Sequence, residues 1–307
     1  MTELDTAPDI APDTASGTAS VHAVEALLGV RAAGAHLYDS PGQEGLVERG
    51  FGGIVVGRAL RAAGSSVGPG RPVHSIHGHF LRPADAGAPT RFHVTPVRDG
   101  ATVSVRQVVA EQHGKEIFLL TASFEVPQQG WAHQVPRLGS GASDPADLPT
   151  PLEQVAGADE TVRSWWTRLA RLHPMDLRFE GELPRSAAHR GEAAPPHHRF
   201  WMRTREALPA DPLLHHCVVA YASDMMLLST ALAPHATMFG APEVTAASLD
   251  HAVWFHGAVR ADEWLCYEQE SSWAADGRAL CHGRFFERSG RLVATVAQEA
   301  MVRRRAG

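Results

Sequence analysis

The sequence predicts an α+β fold made of two tandem copies of one unit. Each copy is a buried helix followed by a long antiparallel meander. Three observations carry this. Residues 51–63 and 213–233 are apolar and read as buried helices. Each is followed by four strand-like runs separated by short turns such as Asp99-Gly100, His113-Gly114 and Asp276-Gly277, as antiparallel hairpins require. The two halves also match in detail: the terminal strands Thr121–Glu125 and Thr295–Glu299 place Phe124 against Gln298, and His77-Gly78-His79-Phe80 answers His251-Ala252-Val253-Trp254. Such self-similarity points to an internal duplication.

Taken in order, residues 1–20 are mostly Ala, Thr, Pro, Asp and Ser, too poor in large apolar groups to offset the entropy of ordering. A disordered tail is expected there. The first unit spans 21–135. Its helix carries Gly52, Gly53 and Gly57, which predicts close approach by another backbone. Its strands are expected at 73–81, 91–98, 101–112 and 116–126. Residues 136–196 form a connector rich in Pro, Gly, Ser, Ala and His, with one amphipathic island at 160–172. The second unit spans 197–307, with strands expected at 246–256, 263–273, 278–287 and 291–303.

Composition narrows the function. The chain has 307 residues and a net charge of −6, so it lacks the basic excess of a protein that binds by neutralising phosphates. The three cysteines include no CxxC, which fits a reducing, cytoplasmic setting. No run of 18 apolar residues predicts a membrane span. Gly64-Ser65-Ser66-Val67-Gly68 matches the GxSxG nucleophile pattern. That pattern must open a helix after a strand, and here it closes one, so a helix end is expected. The 18 histidines include no HExxH or Cys/His set, so no metal site is expected.

The motifs FGG at 51–53, VHSIHGHFLRP at 73–83, VRDG at 97–100 and FLLTASFE at 118–125 resemble the N-terminal half of the acyl-CoA thioesterase II family. YASD at 221–224, SLDHAVWFH at 248–256, EWLCYEQES at 263–271 and VATVAQEA at 293–300 resemble its C-terminal half. The resemblance implies a double hotdog fold, two units in each of which a sheet wraps a long helix. It implies hydrolysis of fatty acyl-CoA to free acid and coenzyme A, without cofactor, in a homo-oligomer such as a dimer or tetramer. The family's catalytic positions fall on Asp224, Ser248 (often Thr in the family) and Gln298.

These residue types suit the chemistry. A carboxylate can hold and deprotonate a water, and Ser248 and Gln298 supply neutral groups able to orient both. Asp224 interrupts the apolar run from Cys217 to Leu228, where a carboxylate is costly unless paired. Backbone N–H groups at the start of a hotdog helix are expected to meet the oxyanion. Gly53, Arg82, His251 and Met225 are candidate substrate contacts, and Arg58, Arg61, Arg98 and Arg106 are further candidates for phosphate. Two competing readings are an enoyl-CoA hydratase or dehydratase using Asp250 and His251, and a non-catalytic acyl-CoA-binding module. Successive strand residues face opposite ways, which counts against the Asp250/His251 dyad.

Overall fold

A computed structural model describes residues 21–43, 50–136 and 144–305. The tail expected over 1–20 lies outside the described residues. The elements of the first half are α1 (Val21–Leu28), β1 (Arg31–Gly34), β2 (Leu37–Ser40), α2 (Gly52–Ser65), β3 (Val73–Phe80), β4 (Thr90–Asp99), β5 (Val103–Gln112) and β6 (Lys115–Glu125). Between the halves lie α3 (Pro151–Gln154), α4 (Glu160–Leu172), β7 (Met175–Phe179) and α5 (Ser186–His189). Then follow β8 (His197–Thr204), α6 (Pro212–Ala222), α7 (Ser229–Leu232), β9 (Val244–Ser248), β10 (Asp250–Phe255), β11 (Leu265–Ala275), β12 (Arg278–Glu287) and β13 (Leu292–Arg304).

All strands join one antiparallel sheet. Its order is β1-β2-β4-β5-β6-β3-β10-β13-β12-β11-β8-β7, with β9 paired to β13. The halves meet at β3 and β10, and one apolar core runs through both. Helix α2 lies across β3–β6. Its Val56, Ala59 and Leu60 are fully buried, and a Val or Leu side chain removed from water contributes about 1.5–3 kcal/mol. The hairpins β5–β6 and β11–β12 turn through His113-Gly114 and Asp276-Gly277, all four residues at positive φ, as a type I′ turn requires. The Asp99-Gly100 turn is longer, because β4 ends at Asp99 and β5 starts at Val103. The GxSxG stretch is the end of α2 and the loop after it.

Four expectations are corrected. The helix expected over 213–233 is broken after Ala222. The carbonyls of Ser223 and Met225 leave the helical ladder and accept from Tyr267 Oη (2.6 Å) and Gln269 Nε2 (2.6 Å) of β11. Tertiary hydrogen bonds thus override an apolar, helix-compatible sequence, and Met226 turns the chain at φ 60°. Second, the connector adds a strand: β7 pairs with β8, with Met175, Leu177 and Phe179 facing in. Third, the strand expected over 246–256 is interrupted at Leu249, whose N–H donates to Glu299 O and whose carbonyl accepts from Phe80 N–H.

The fourth concerns the internal match. His251 is buried and pairs with Gly78, whereas His77 faces outward opposite Ala252 and meets the Trp254 ring edge-on. His77 therefore does not correspond to His251. The Phe124–Gln298 match agrees with the register. Ser104 pairs with Phe124 and Cys281 with Gln298, and Phe124 and Gln298 are both buried.

Candidate active site

Helix α6 starts cleanly. Asp211 caps it, its Oδ1 accepting from Leu213 and Leu214 N–H, and Pro212 occupies the first turn. Its last turns cross α2 closely. A Cβ on Gly53 would lie 2.2 Å from Tyr221 O, and one on Gly57 would lie 3.1 Å from Cys217 O. The glycines of α2 thus admit a neighbouring backbone, and that neighbour is the second helix rather than the sheet.

This crossing delivers Asp224 to the start of α2. Asp224 Oδ2 accepts from Gly53 N–H at 2.8 Å. The N-cap residue Phe51 supplies no capping side chain. A carboxylate 171 residues away therefore caps the helix, where the dipole favours negative charge. Gln298 Nε2 donates to Asp224 Oδ1 at 3.1 Å and also to Ser248 Oγ. A carboxylate only accepts, which fixes the amide nitrogen toward Asp224. So Asp224, Ser248 and Gln298, from a loop and two strands, meet in one hydrogen-bonded cluster.

Asp224 and Ser248 open onto a cavity of about 910 Å³. Its walls come from the start of α2, the end of β3, α4 and the loop after α6. Phe51, Val55, Phe118, Leu169 and Leu172 make much of it apolar. Met225 and Arg82 also line it, and Arg168 and Arg185 add two cations from the region between the halves. Asp224 is the only carboxylate lining it among the described residues. The other candidate arginines, Arg58, Arg61, Arg98 and Arg106, are not among its lining residues. Arg58 Nε donates to Leu27 O, Arg61 pairs with Asp211, and Arg106 pairs with Asp99.

His251 stands behind the cluster rather than on the cavity wall. It is buried, with Nε2 at 2.7 Å from Ser223 Oγ. Burial pushes its imidazole below the usual range, opposed by the charges of Asp224 and Asp250 and by Gln298. Asp250 turns away, its Oδ1 accepting from Glu299 N–H. His173 lines the cavity beside Phe51 and hydrogen-bonds Tyr221 Oη (2.5 Å). Burial, with a smaller push from Arg205, lowers His173 to about 4, so this wall carries no imidazolium at neutral pH. No group of three or more His, Cys, Asp or Glu residues able to hold a metal occurs among the described residues.

Sequence reasoning missed Tyr267 and Gln269. They sit two apart on β11, so they share a face and reach the carbonyls flanking Asp224. Two polar residues among apolar neighbours on one strand face were the available signal. It also missed Trp165, which lies within the amphipathic island at 160–172 but was given no role, and Arg185, which nothing in the connector's composition marks.

Comparison with known proteins identifies the family. Residues 170–301 match the family model described as acyl-CoA thioesterase, and residues 45–125 match that of the acyl-CoA thioesterase N-terminal domain. The chain is 38% identical over 265 residues to acyl-coenzyme A thioesterase 8 of Mus musculus, covering 83% of this chain and 81% of that one. It is 33% identical over 262 residues to acyl-CoA thioesterase 2 of Haemophilus influenzae, covering 82% and 87%. The crystal structure of the acyl-CoA thioesterase II TesB2 of Mycobacterium marinum superposes with a TM-score of 0.73 at 36% identity, over 93% of this chain and 98% of that one. The chain belongs to the acyl-CoA thioesterase II family and has its α+β double hotdog fold.

Proposed function

We propose that the chain hydrolyses fatty acyl-CoA to free fatty acid and coenzyme A, with a water held by Asp224, Ser248 and Gln298 as nucleophile. The supporting observation is the placement of the Asp224 carboxylate. It reaches a largely apolar cavity while Gly53 N–H and Gln298 Nε2 hold its two oxygens. The acyl chain lies along the apolar wall. Asp224 takes a proton from the water as its oxygen attacks the thioester carbonyl. Gln298 keeps the carboxylate oriented, and Ser248 offers the water a second contact. The oxyanion is met by the N–H of Gly52, which lines the cavity in the first turn of α2, since the N–H groups of Gly53 and Ile54 donate to Asp224 and to Phe51 O. The tetrahedral intermediate then expels the coenzyme A thiolate, which leaves with the proton held by Asp224. Gly53 N–H serves Asp224, so its part in substrate binding is indirect.

The division into units at 21–135 and 197–307, with the connector between, belongs to the same proposal, as does a cytoplasmic homo-oligomer. The sheet ends in edge strands β1 and β7, and such edges favour pairing with another chain. The hydratase reading gains nothing from the geometry, since Asp250 and His251 serve different partners. A thiol-release assay across acyl chain lengths tests the reading. Release of free thiol from saturated acyl-CoA is the expected result. Hydration of enoyl-CoA without thiol, or binding without turnover, contradicts it.

A further inference from the structure

Among the described residues, Arg185 has no counterion. Its side chain is half-buried on the wall of the cavity that contains Asp224. Nη1 donates to Phe239 O at 3.0 Å, and the guanidinium stacks on Trp165 of α4 at 4.3 Å from the ring centroid. No carboxylate lies within ion-pair reach of it among the described residues. Other arginines of the same stretch are paired: Arg178 with Asp176, Arg190 with Glu182 and Glu192, and Arg199 with Glu180.

A cation taken from water without an opposite charge is costly. Burial draws Arg185 down only to about 10, so it keeps its charge at neutral pH. A guanidinium has five N–H donors in a planar fork. One donates to a carbonyl, and the Trp165 face fixes the plane. Together these present a pre-oriented cation at the site where an anionic ligand is expected.

We infer that Arg185, set by Trp165, binds a phosphate group of the coenzyme A moiety of the substrate. The inference rests on the reading of this cavity as the acyl-CoA site. It assigns the carrier end of the substrate to α4 and to Arg185, which immediately precedes α5, and the reacting end to Asp224. A planar fork suits bidentate contact to phosphate oxygens, which lysine cannot reproduce. The same cation could meet a terminal carboxylate on an acyl chain, and the test separates the two sources.

The test compares decanoyl-CoA with the decanoyl thioester of N-acetylcysteamine, which lacks every phosphate. In Arg185→Gln, the ratio of kcat/KM for decanoyl-CoA to that for the truncated thioester falls roughly tenfold to a hundredfold, the effect of losing hydrogen bonds to a charged group. Arg185→Lys falls by less. An unchanged ratio, whether both values drop together or neither drops, overturns the inference. So does a loss confined to ω-carboxyacyl thioesters. Calorimetric titration with free coenzyme A and with pantetheine gives a readout that needs no turnover. Arg185→Gln weakens the former by the same factor relative to the latter. If the wild type released no thiol from decanoyl-CoA, the hydrolytic reading would fail, and this titration would still decide whether Arg185 meets phosphate.

Discussion

Gly53 N–H, in the first turn of α2, donates to the carboxylate of Asp224, which follows α6 at the far end of the sequence separation. One bond thus ties the helix of the first half to the loop of the second. It makes the backbone crossing of α2 and α6 part of the site. A Gly53 Cβ would stand 2.2 Å from Tyr221 O, and neither backbone has a flexible end to yield. Gly53→Ala is expected to destabilise the protein by about 1–3 kcal/mol through overpacking. Gly68→Ala, with open space around it, is the control. Thermal unfolding of the two variants checks this, and equal melting temperatures would contradict it.

The break after Ala222 is held by β11. Tyr267 is fully buried, stacks on Phe285 at 3.8 Å and donates to Ser223 O. Tyr267→Phe keeps the ring and leaves a buried carbonyl without its partner, which costs about 1–3 kcal/mol. Because Ser223 precedes Asp224, kcat is expected to fall with KM little changed. Steady-state kinetics on decanoyl-CoA alongside calorimetric unfolding measures both. A variant with wild-type kcat would show that the loop does not need this bond.

Ser248 shares the amide of Gln298 with Asp224. Ser248→Ala is expected to lower kcat/KM roughly tenfold, the scale of one neutral hydrogen bond. Ser248→Thr keeps the hydroxyl and adds a β-branch that restricts χ1, so activity is retained within a few-fold. Equal losses in both variants would point to packing rather than hydrogen bonding at this position.

Two histidines make stability depend on acid. Burial lowers both His173 and His198 to about 4, against an unfolded value near 6.5. The unfolded chain therefore binds more protons in this range. Their stabilising effect is complete above about pH 6.5 and is lost as pH falls toward 4, by roughly 1 kcal/mol per pH unit for each imidazole. Melting temperature measured between pH 7.5 and 4.5 should fall, and the fall should be shallower in His173→Gln. A profile that is flat, or that rises toward acid, contradicts this.

Much of the fold was legible because its signals are local. Alternating burial in β5 and β12 and the His113-Gly114 and Asp276-Gly277 turns follow from strand period and turn chemistry. The island at 160–172 coincides with α4, capped by Asp159. What was not legible depends on distant partners. Nothing near Ala222 announces a helix end, since Tyr267 and Gln269 impose it from β11. Residues 174–180 read as connector because a five-residue strand, β7, has too short a period to stand out among Pro and His.

The candidate site divides in the same way. Asp224, Ser248 and Gln298 were reached through motifs, and their cluster of hydrogen bonds needed the fold to bring loop, β9 and β13 together. His251 was expected to touch substrate. Strand parity turns it inward onto Ser223 instead. Arg185 carries no sequence mark at all, because its setting is made by Trp165 and Phe239, distant in the chain.

The most direct measurement is thiol release from decanoyl-CoA by Asp224→Asn. Asparagine keeps the shape and an oxygen that can accept from Gly53 N–H, and its amide nitrogen can donate to Gln298 once the Gln298 amide flips to present Oε1, so the fold and its melting temperature should hold. The carboxylate proposed to take the proton of water is gone, and kcat/KM should fall by about 10²- to 10⁴-fold. A folded variant with wild-type turnover would contradict the account.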